Sequence, residues 1–171
     1  MKTFFSSDHH FLHRNIIKLC NRPYVDEHEM TEACVDAWNS KVNKSDTVYY
    51  LGDFSLSTSR IAVDEILKRL NGQKFLIKGN HDSKLVYKNS RWVKVSDYHE
   101  LKIKDIPIVL SHYPFRSWNK QCYGSYMLHG HVHTVGSYME PGNIMDVGVD
   151  LWGAPVTFEE IRSKKWCHKK D

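Results

Sequence analysis

Nowhere does this 171-residue chain hold the roughly 20 consecutive apolar residues that a membrane span needs. The opening Met1-Lys2-Thr3-Phe4-Phe5-Ser6-Ser7-Asp8 is too short in its apolar part for a signal peptide. A cytoplasmic protein without a membrane partner is therefore expected. Cysteine is scarce and scattered. Cys20, Cys34, Cys122 and Cys167 show no C-x-x-C spacing, so free thiols are expected rather than a structural zinc site. No Gly-x-Ser-x-Gly elbow and no phosphatase-type cysteine loop occurs, so nothing suggests a serine or cysteine nucleophile. Internal repeats and low-complexity segments are absent as well. Neither charge sign dominates, with 24 Lys and Arg against 20 Asp and Glu. Much of the net +4 comes from Lys164, Lys165, Lys169 and Lys170, a tail that reads as solvated and frayed over about 164–171. That excess alone does not indicate nucleic-acid binding.

What is present is ordinary globular material. Hydrophobic residues make up 41% and charged residues 26%, enough for a single domain over 1–171 with a sizeable core. Lys2 to Ser7 reads as a buried strand. Asp26 to Val42 places Met30, Ala33, Cys34, Ala37, Trp38 and Val42 on one helical face. Thr47 to Leu51 is β-branched and aromatic, hence a strand. Ser57 or Thr58 is the expected cap of a helix running to Leu70, with Ile61, Ile66, Leu67 and Leu70 inward and Asn71-Gly72 as its stop. Lys74 to Ile77 is the next strand. Strand and helix thus alternate, which calls for a parallel sheet with crossover helices. Further on, Tyr98 to Lys104 and Ile108 to Leu110 suggest an antiparallel hairpin turning at Asp105-Ile106-Pro107. Short strands follow at Ser125–Leu128 and Asn143–Val149. Thr157 is the expected cap of a last helix, and 116–123 and 134–142 are the expected loops.

Five of these strand ends carry groups able to hold a metal: Asp8 with His10, Asp53, Asn80 with His81, His112, and His131 with His133. Open α/β sheets place their ligands at such ends. Carboxylate, amide and imidazole together suit divalent Mn, Fe, Ni, Co or Zn. Extended residues at i and i+2 face the same way, so Asp8 and His10 can converge on one ion, as can His131 and His133, or each can serve a neighbouring ion. His9, between them, is expected to face away.

The ordered set Asp8-x-His10, Gly52-Asp53, Gly79-Asn80-His81-Asp82, His112 and Gly130-His131-x-His133 resembles the motifs of the calcineurin-like metallophosphoesterases. Ser6-Ser7-Asp8-His9-His10-Phe11, Arg22-Pro23 and Ser111-His112-Tyr113-Pro114 look like the small bacterial and phage members. The resemblance spans about Asp8 to His133. It implies a four-layer α/β/β/α sandwich and a dinuclear site, with Mn as the leading choice of metal. Asp8, His10 and His133 would hold one ion, Asn80, His112 and His131 the other, and Asp53 would bridge. His81 would protonate the leaving oxygen, with Asp82 orienting it. The implied reaction is hydrolysis of a phosphate mono- or diester through in-line attack by a metal-bridging hydroxide. One departure stands out: Phe54-Ser55-Leu56-Ser57 follows Gly52-Asp53 where many members have a further Asp or Asn.

His13, Arg14 and Asn15 lie just beyond the first ligand pair and are the expected substrate contacts, Arg14 by a bidentate grip on phosphate. Tyr113 and Trp118 could stack on a base. A small nucleotide-like phosphate ester is the expected partner. A nuclease would call for a continuous basic groove, for which Arg14 and the tail are the only hints. A metal-free scaffold would have lost ligands that are all present here.

Overall fold

The computed structural model describes residues 1–133 and 143–164. The chain runs β1 (Thr3–Ser6), α1 (Arg14–Leu19), α2 (Glu27–Lys41), β2 (Thr47–Tyr50), α3 (Arg60–Arg69), β3 (Gln73–Ile77), α4 (Lys84–Tyr87) and β4 (Trp92–Ser96). It continues with β5 (Tyr98–Ile103), β6 (Ile106–Ser111), β7 (Tyr126–His129), β8 (Ile144–Asp146), α5 (Val149–Trp152), β9 (Val156–Thr157) and α6 (Phe158–Ser163). The described residues form two sheets, ordered β4-β3-β2-β1-β9 and β5-β6-β7-β8. In the first, β1 to β4 are parallel, as alternating strand and helix require, and β9 closes the far edge antiparallel.

Local chemistry sets the helix ends. Asp26 caps α2, its Oδ1 accepting from the N–H groups of His28 and Glu29 at 2.9 Å. Glu27 and Glu29 add negative charge where the helix dipole is positive. α3 begins one residue later than the sequence suggested. Ser59 caps it, accepting from Ala62 N at 3.3 Å, while Ser57 Oγ accepts from Ser59 N and so builds the turn before the cap. Ile61 points outward, 77% exposed, because it lies five residues before Ile66, about 140° round the helix, whereas Val63, three residues before Ile66 and four before Leu67, is an inner residue. Thr157 caps α6 as expected, in a reciprocal box with Glu160.

The hairpin also turns elsewhere than expected. Ile103 pairs with Ile106, so the loop is Lys104-Asp105, both with positive φ (48° and 65°). This is the two-residue geometry whose twist suits paired strands. Pro107 lies within β6, opposite Lys102, and is tolerated because β6 pairs with β7 only from Ile108 onward. Strand β4 escaped the sequence reading for a related reason. Lys74 pairs with Trp92 and Phe75 with Lys94, so Val93 is skipped and left 58% exposed. One extra residue spoils the period-two pattern.

Three apolar clusters order the layers. Phe4, Val48, Tyr50 and Leu76 pack against Met30, Trp38, Val63 and Leu67 of α2 and α3. Phe5, Leu51 and Ile77 meet Ile108, Leu110 and Leu128 between the two sheets. On the outer face of the second sheet, Val109 and Met127 are covered by Phe115 and Trp118 from the segment after β6. The order is thus helices, sheet, sheet and a thin fourth cover, the sandwich the resemblance implied. The expected loop at 134–142 lies outside the described residues, as do Cys167 and nearly all of the expected frayed tail.

Candidate metal centre

The C-terminal ends of β1, β2, β3, β6 and β7 meet in one place. Asp8 and His10 follow β1, Asp53 follows β2, Asn80 and His81 follow β3, His112 follows β6, and His131 and His133 follow β7. The reason they converge is not the expected extended alternation. Asp8, His10, Asp53, His131 and His133 all have positive φ, between 46° and 71°. Such left-handed residues cost of order 1 kcal/mol or more each and gather where a site requires them. Backbone bonds hold the turns: Asp8 N donates to Gly52 O (3.0 Å), His10 N to Asp53 O (3.1 Å) and Phe11 N to Phe54 O (2.8 Å). Gly52 and Gly79 are pressed together here. A Cβ on Gly52 would lie 2.6 Å from the Gly79 backbone and from His112 Nδ1.

Two three-residue donor groups result. Asp8, His10 and His133 form one, and Asp53, His112 and His131 the other, each with donor atoms within 4.8 Å of one another. Their internal contacts are those of groups waiting for a cation. His112 Nδ1 contacts the Leu51 carbonyl at 2.7 Å and so carries the proton. Its Nε2 lone pair then points at another acceptor, Asn80 Oδ1, at 2.9 Å. The two facing lone pairs repel, and a positive ion between them would remove the repulsion. In the other group, His10 Nε2 and His133 Nε2 face each other at 3.2 Å. Asp8 is wholly buried and accepts from His131 N at 3.0–3.1 Å, yet burial pushes its carboxyl up to about 8. Burial, with His133 next to it, holds the His10 imidazole neutral, down to about 2. The donor chemistry therefore fits divalent metal ions.

His81 is exposed at the rim, its ring 5.5 Å from that of His10, and its backbone N–H donates to Asp53 Oδ1 at 2.9 Å. Asp82 does not orient it. The Asp82 carboxylate is taken up by the backbone N–H groups of Asp53, Phe54 and Gly79 at 2.8–3.0 Å, and no hydrogen bond joins it to the His81 ring. Asp82 is a tie between loops, and the expectation of an acid–carboxylate pair is corrected. His13 lies beside the site, ring to ring 5.7 Å from His10. Arg14 does not reach the site. It is exposed on α1 and lies 3.8 Å from Glu27. Asn15 is exposed on the same helix. His9 faces away as expected, its Nδ1 3.1 Å from Tyr50 Oη and its ring stacked on Phe11. His129 bonds its neighbour's carbonyl, Gly130 O, at 2.9 Å.

Tyr113 is 46% exposed and sets its ring edge-on to His131 (4.6 Å) and His112 (5.1 Å), on the open side of the site. Trp118 instead donates to Ser125 O and packs on the second sheet. Two residues that the sequence reading gave no role now stand behind the site. Arg22 is buried and paired with Asp150, and Asp150 in turn contacts His133. For Arg22 the signal was its place in the Arg22-Pro23 pair of the resemblance, and for Asp150 it was a lone carboxylate among Val147, Val149, Leu151 and Trp152.

A family model described as calcineurin-like phosphoesterase matches residues 1–167. An uncharacterized protein of Methanocaldococcus jannaschii is 37% identical over 133 residues, which cover 77% of this chain and 69% of that one. The gene 66 protein of Mycobacterium phage L5 is 29% identical over 194 residues, with 93% and 91% covered. A solved structure from Aquifex aeolicus, of a protein of unknown function, matches with a TM-score of 0.72 at 25% identity, covering 94% of this chain and 97% of that one.

Proposed function

Because this chain belongs to the calcineurin-like phosphoesterase family, we propose that it hydrolyses a small, nucleotide-like phosphate ester at a site for two divalent metal ions. The family makes it a phosphoesterase. The observation that carries the finer reading is the position of Asp53 Oδ2, 3.6 Å from His10 Nε2 and 3.5 Å from His112 Nε2. One carboxylate oxygen stands between the two donor groups. Asp8, His10 and His133 would hold one ion, Asn80, His112 and His131 the other, and Asp53 both. Bound there, paired cations neutralise phosphoryl oxygens and lower the pKa of a shared water toward about 7. Mn²⁺ is our first choice for this mixed oxygen and imidazole set, with Fe, Ni, Co or Zn as substitutes.

The protein's own groups supply position and protons. His81 is proposed to carry a proton on its imidazole and pass it to the departing ester oxygen. Its backbone hangs from Asp53 Oδ1, so the same carboxylate that faces both donor groups also sets the acid's place. Asp82 fixes the ends of β2 and β3 to each other, so that Asp53 and Asn80 keep their spacing. His13 lies beside His10 and the half-exposed Tyr113 beside His112 and His131, and an aromatic ring there suits a substrate with a base to stack. Arg14, turned toward Glu27, has no part in this reading.

The test is hydrolysis of chromogenic phosphate mono- and diesters with added Mn²⁺, by wild type and by Asp53→Asn. Turnover by wild type and loss of at least about 100-fold in the variant is the expected result. Wild type that binds metal but cleaves neither ester class, nor any nucleotide offered, would contradict the proposal.

A further inference from the structure

Behind His133 lies a buried chain of contacts that no step above uses. His133 Nδ1 is 2.7 Å from Asp150 Oδ2. Both oxygens of Asp150 are also gripped by Arg22, through Nε at 2.7 Å and Nη2 at 2.9 Å. The guanidinium is fully engaged: Nη2 donates to Asp8 O and Nη1 to His9 O, both at 2.7 Å. One arginine therefore ties the backbone that presents Asp8 and His10 to the carboxylate that holds His133. Those are the three donors of one group, and neither Arg22 nor Asp150 is hydrogen-bonded to Asn80, His112 or His131, where His112 Nδ1 is held instead by a backbone carbonyl, Leu51 O, at 2.7 Å.

Cys20, His133 and Asp150 could pass for a metal site of their own, since their donor atoms cluster within 4.8 Å. Arg22 argues against this. Its fixed positive charge already occupies both Asp150 oxygens, where it would repel a cation. Cys20 lies 3.4 Å from His133 Nδ1, the nitrogen that already meets Asp150 at 2.7 Å. The cluster is instead a support for a ligand.

Resting on the two-metal reading above, we infer that Asp150 and Arg22 are positioning residues for one metal site only, the one formed by Asp8, His10 and His133. Asp150 accepts the Nδ1 proton of His133, which frees Nε2, the atom facing His10, to bind metal. A carboxylate behind a ligating histidine fixes the tautomer and ring direction in this way. Arg22 makes the arrangement one-directional. It has only donors, so whatever stands at position 150 must show it acceptors.

Asp150→Ala tests this by removing the acceptor. Without a carboxylate at Nδ1 the His133 ring loses the bond that fixes its tautomer, and the proton can settle on Nε2, where it blocks the metal. Long-range ¹H–¹⁵N correlation spectra of metal-free protein at pH 9 should show the His133 proton on Nδ1 in wild type and on Nε2 in the variant. Calorimetric titration with Mn²⁺ should show one of two sites weakened by about 10–100-fold and the other unchanged. Arg22→Lys, which keeps the charge and loses the fork, should weaken the same site.

An unchanged tautomer with unchanged affinities would overturn the inference and leave the two-metal reading standing. Equal weakening of both sites together with a lower melting temperature would also overturn it, since Asp150 would then be a merely structural residue. Wild type that binds no Mn²⁺ would overturn the two-metal reading itself. The metal-free spectra tell that failure from the first two.

Discussion

Asp82 reaches back 29 residues in sequence to accept the backbone N–H of Asp53 at 3.0 Å. The same carboxylate accepts from Phe54 N at 2.8 Å and Gly79 N at 2.9 Å, so one buried side chain fastens the end of β2 to the end of β3. The two loops it joins carry Asp53 on one side and Asn80 on the other. Asp82 thus shapes the site without facing it.

Asp82→Ala should therefore fail in two ways. It strands three backbone donors, each costing about 1–3 kcal/mol where water cannot reach. It also lets Asp53 drift, and a displacement near 1 Å can cost about 100-fold in rate. Thermal melting and ester hydrolysis measure the two effects. A variant with wild-type stability and turnover would remove Asp82 from this role.

Gly79→Ala should be as damaging, for steric reasons. A Cβ there would lie 2.2 Å from Asp53 Oδ1 and 2.4 Å from Asp53 N, both atoms held in place by other bonds. The methyl cannot be accommodated unless Asp53 moves. We expect metal affinity and activity to fall together, by at least about 10-fold, in titration and turnover. Normal metal binding would show that the two loops are looser than these contacts imply.

His81→Ala should separate binding from chemistry. The ring stands at the rim, outside both donor groups, and only its backbone touches Asp53. Loss of a proton donor typically costs about 10²–10⁴ in rate. Mn²⁺ affinity should stay within about twofold. The deficit should also shrink for esters with acidic leaving groups, which need no proton. Equal loss on every ester would assign His81 some other task.

Lys74 offers a check on stability that does not involve the site. It is buried, donates to Leu70 O (2.7 Å) and Gly72 O (3.1 Å), and burial, helped by nearby Arg91, pulls its ammonium down to about 8. Above pH 8 the folded protein has lost this proton while the unfolded chain still holds it up to about 10.5. The unfolded state binds more protons, so stability rises with pH. From pH 9 the thiols of half-buried Cys20 and buried Cys34, raised to about 11, act in the opposite sense. Between pH 8 and 9 wild type should thus gain about 1 kcal/mol over Lys74→Met in denaturant melts. Parallel pH profiles would show that Lys74 stays charged.

Much of this was legible in the sequence, and the misses have physical causes. Apolar runs ending in Asp, Asn or His gave the parallel strands and the ligand ends, because buried strands and strand-end sites leave local patterns. Convergence of Asp8 with His10 was expected for the wrong reason. Extended alternation does not apply where φ is 60° and 50°. Val93 hid β4 by breaking its period, and Ile61, five residues before Ile66, falls on the other side of α3. The role of Asp82 was misjudged because adjacency to His81 in sequence says nothing of where a buried carboxylate finds donors. Arg22 and Asp150 meet across 128 residues, a separation over which no local pattern can link them.

The most direct test of the two-metal account is to titrate metal-free protein with Mn²⁺ while following hydrolysis of a chromogenic phosphodiester in the same cell. Activity should stay low through the first equivalent, rise with the second and level off. Asp53→Asn should bind more weakly and stay inactive at any Mn²⁺ concentration. Full activity at one equivalent, or turnover that ignores Mn²⁺ and survives a chelator, would contradict the account at its centre.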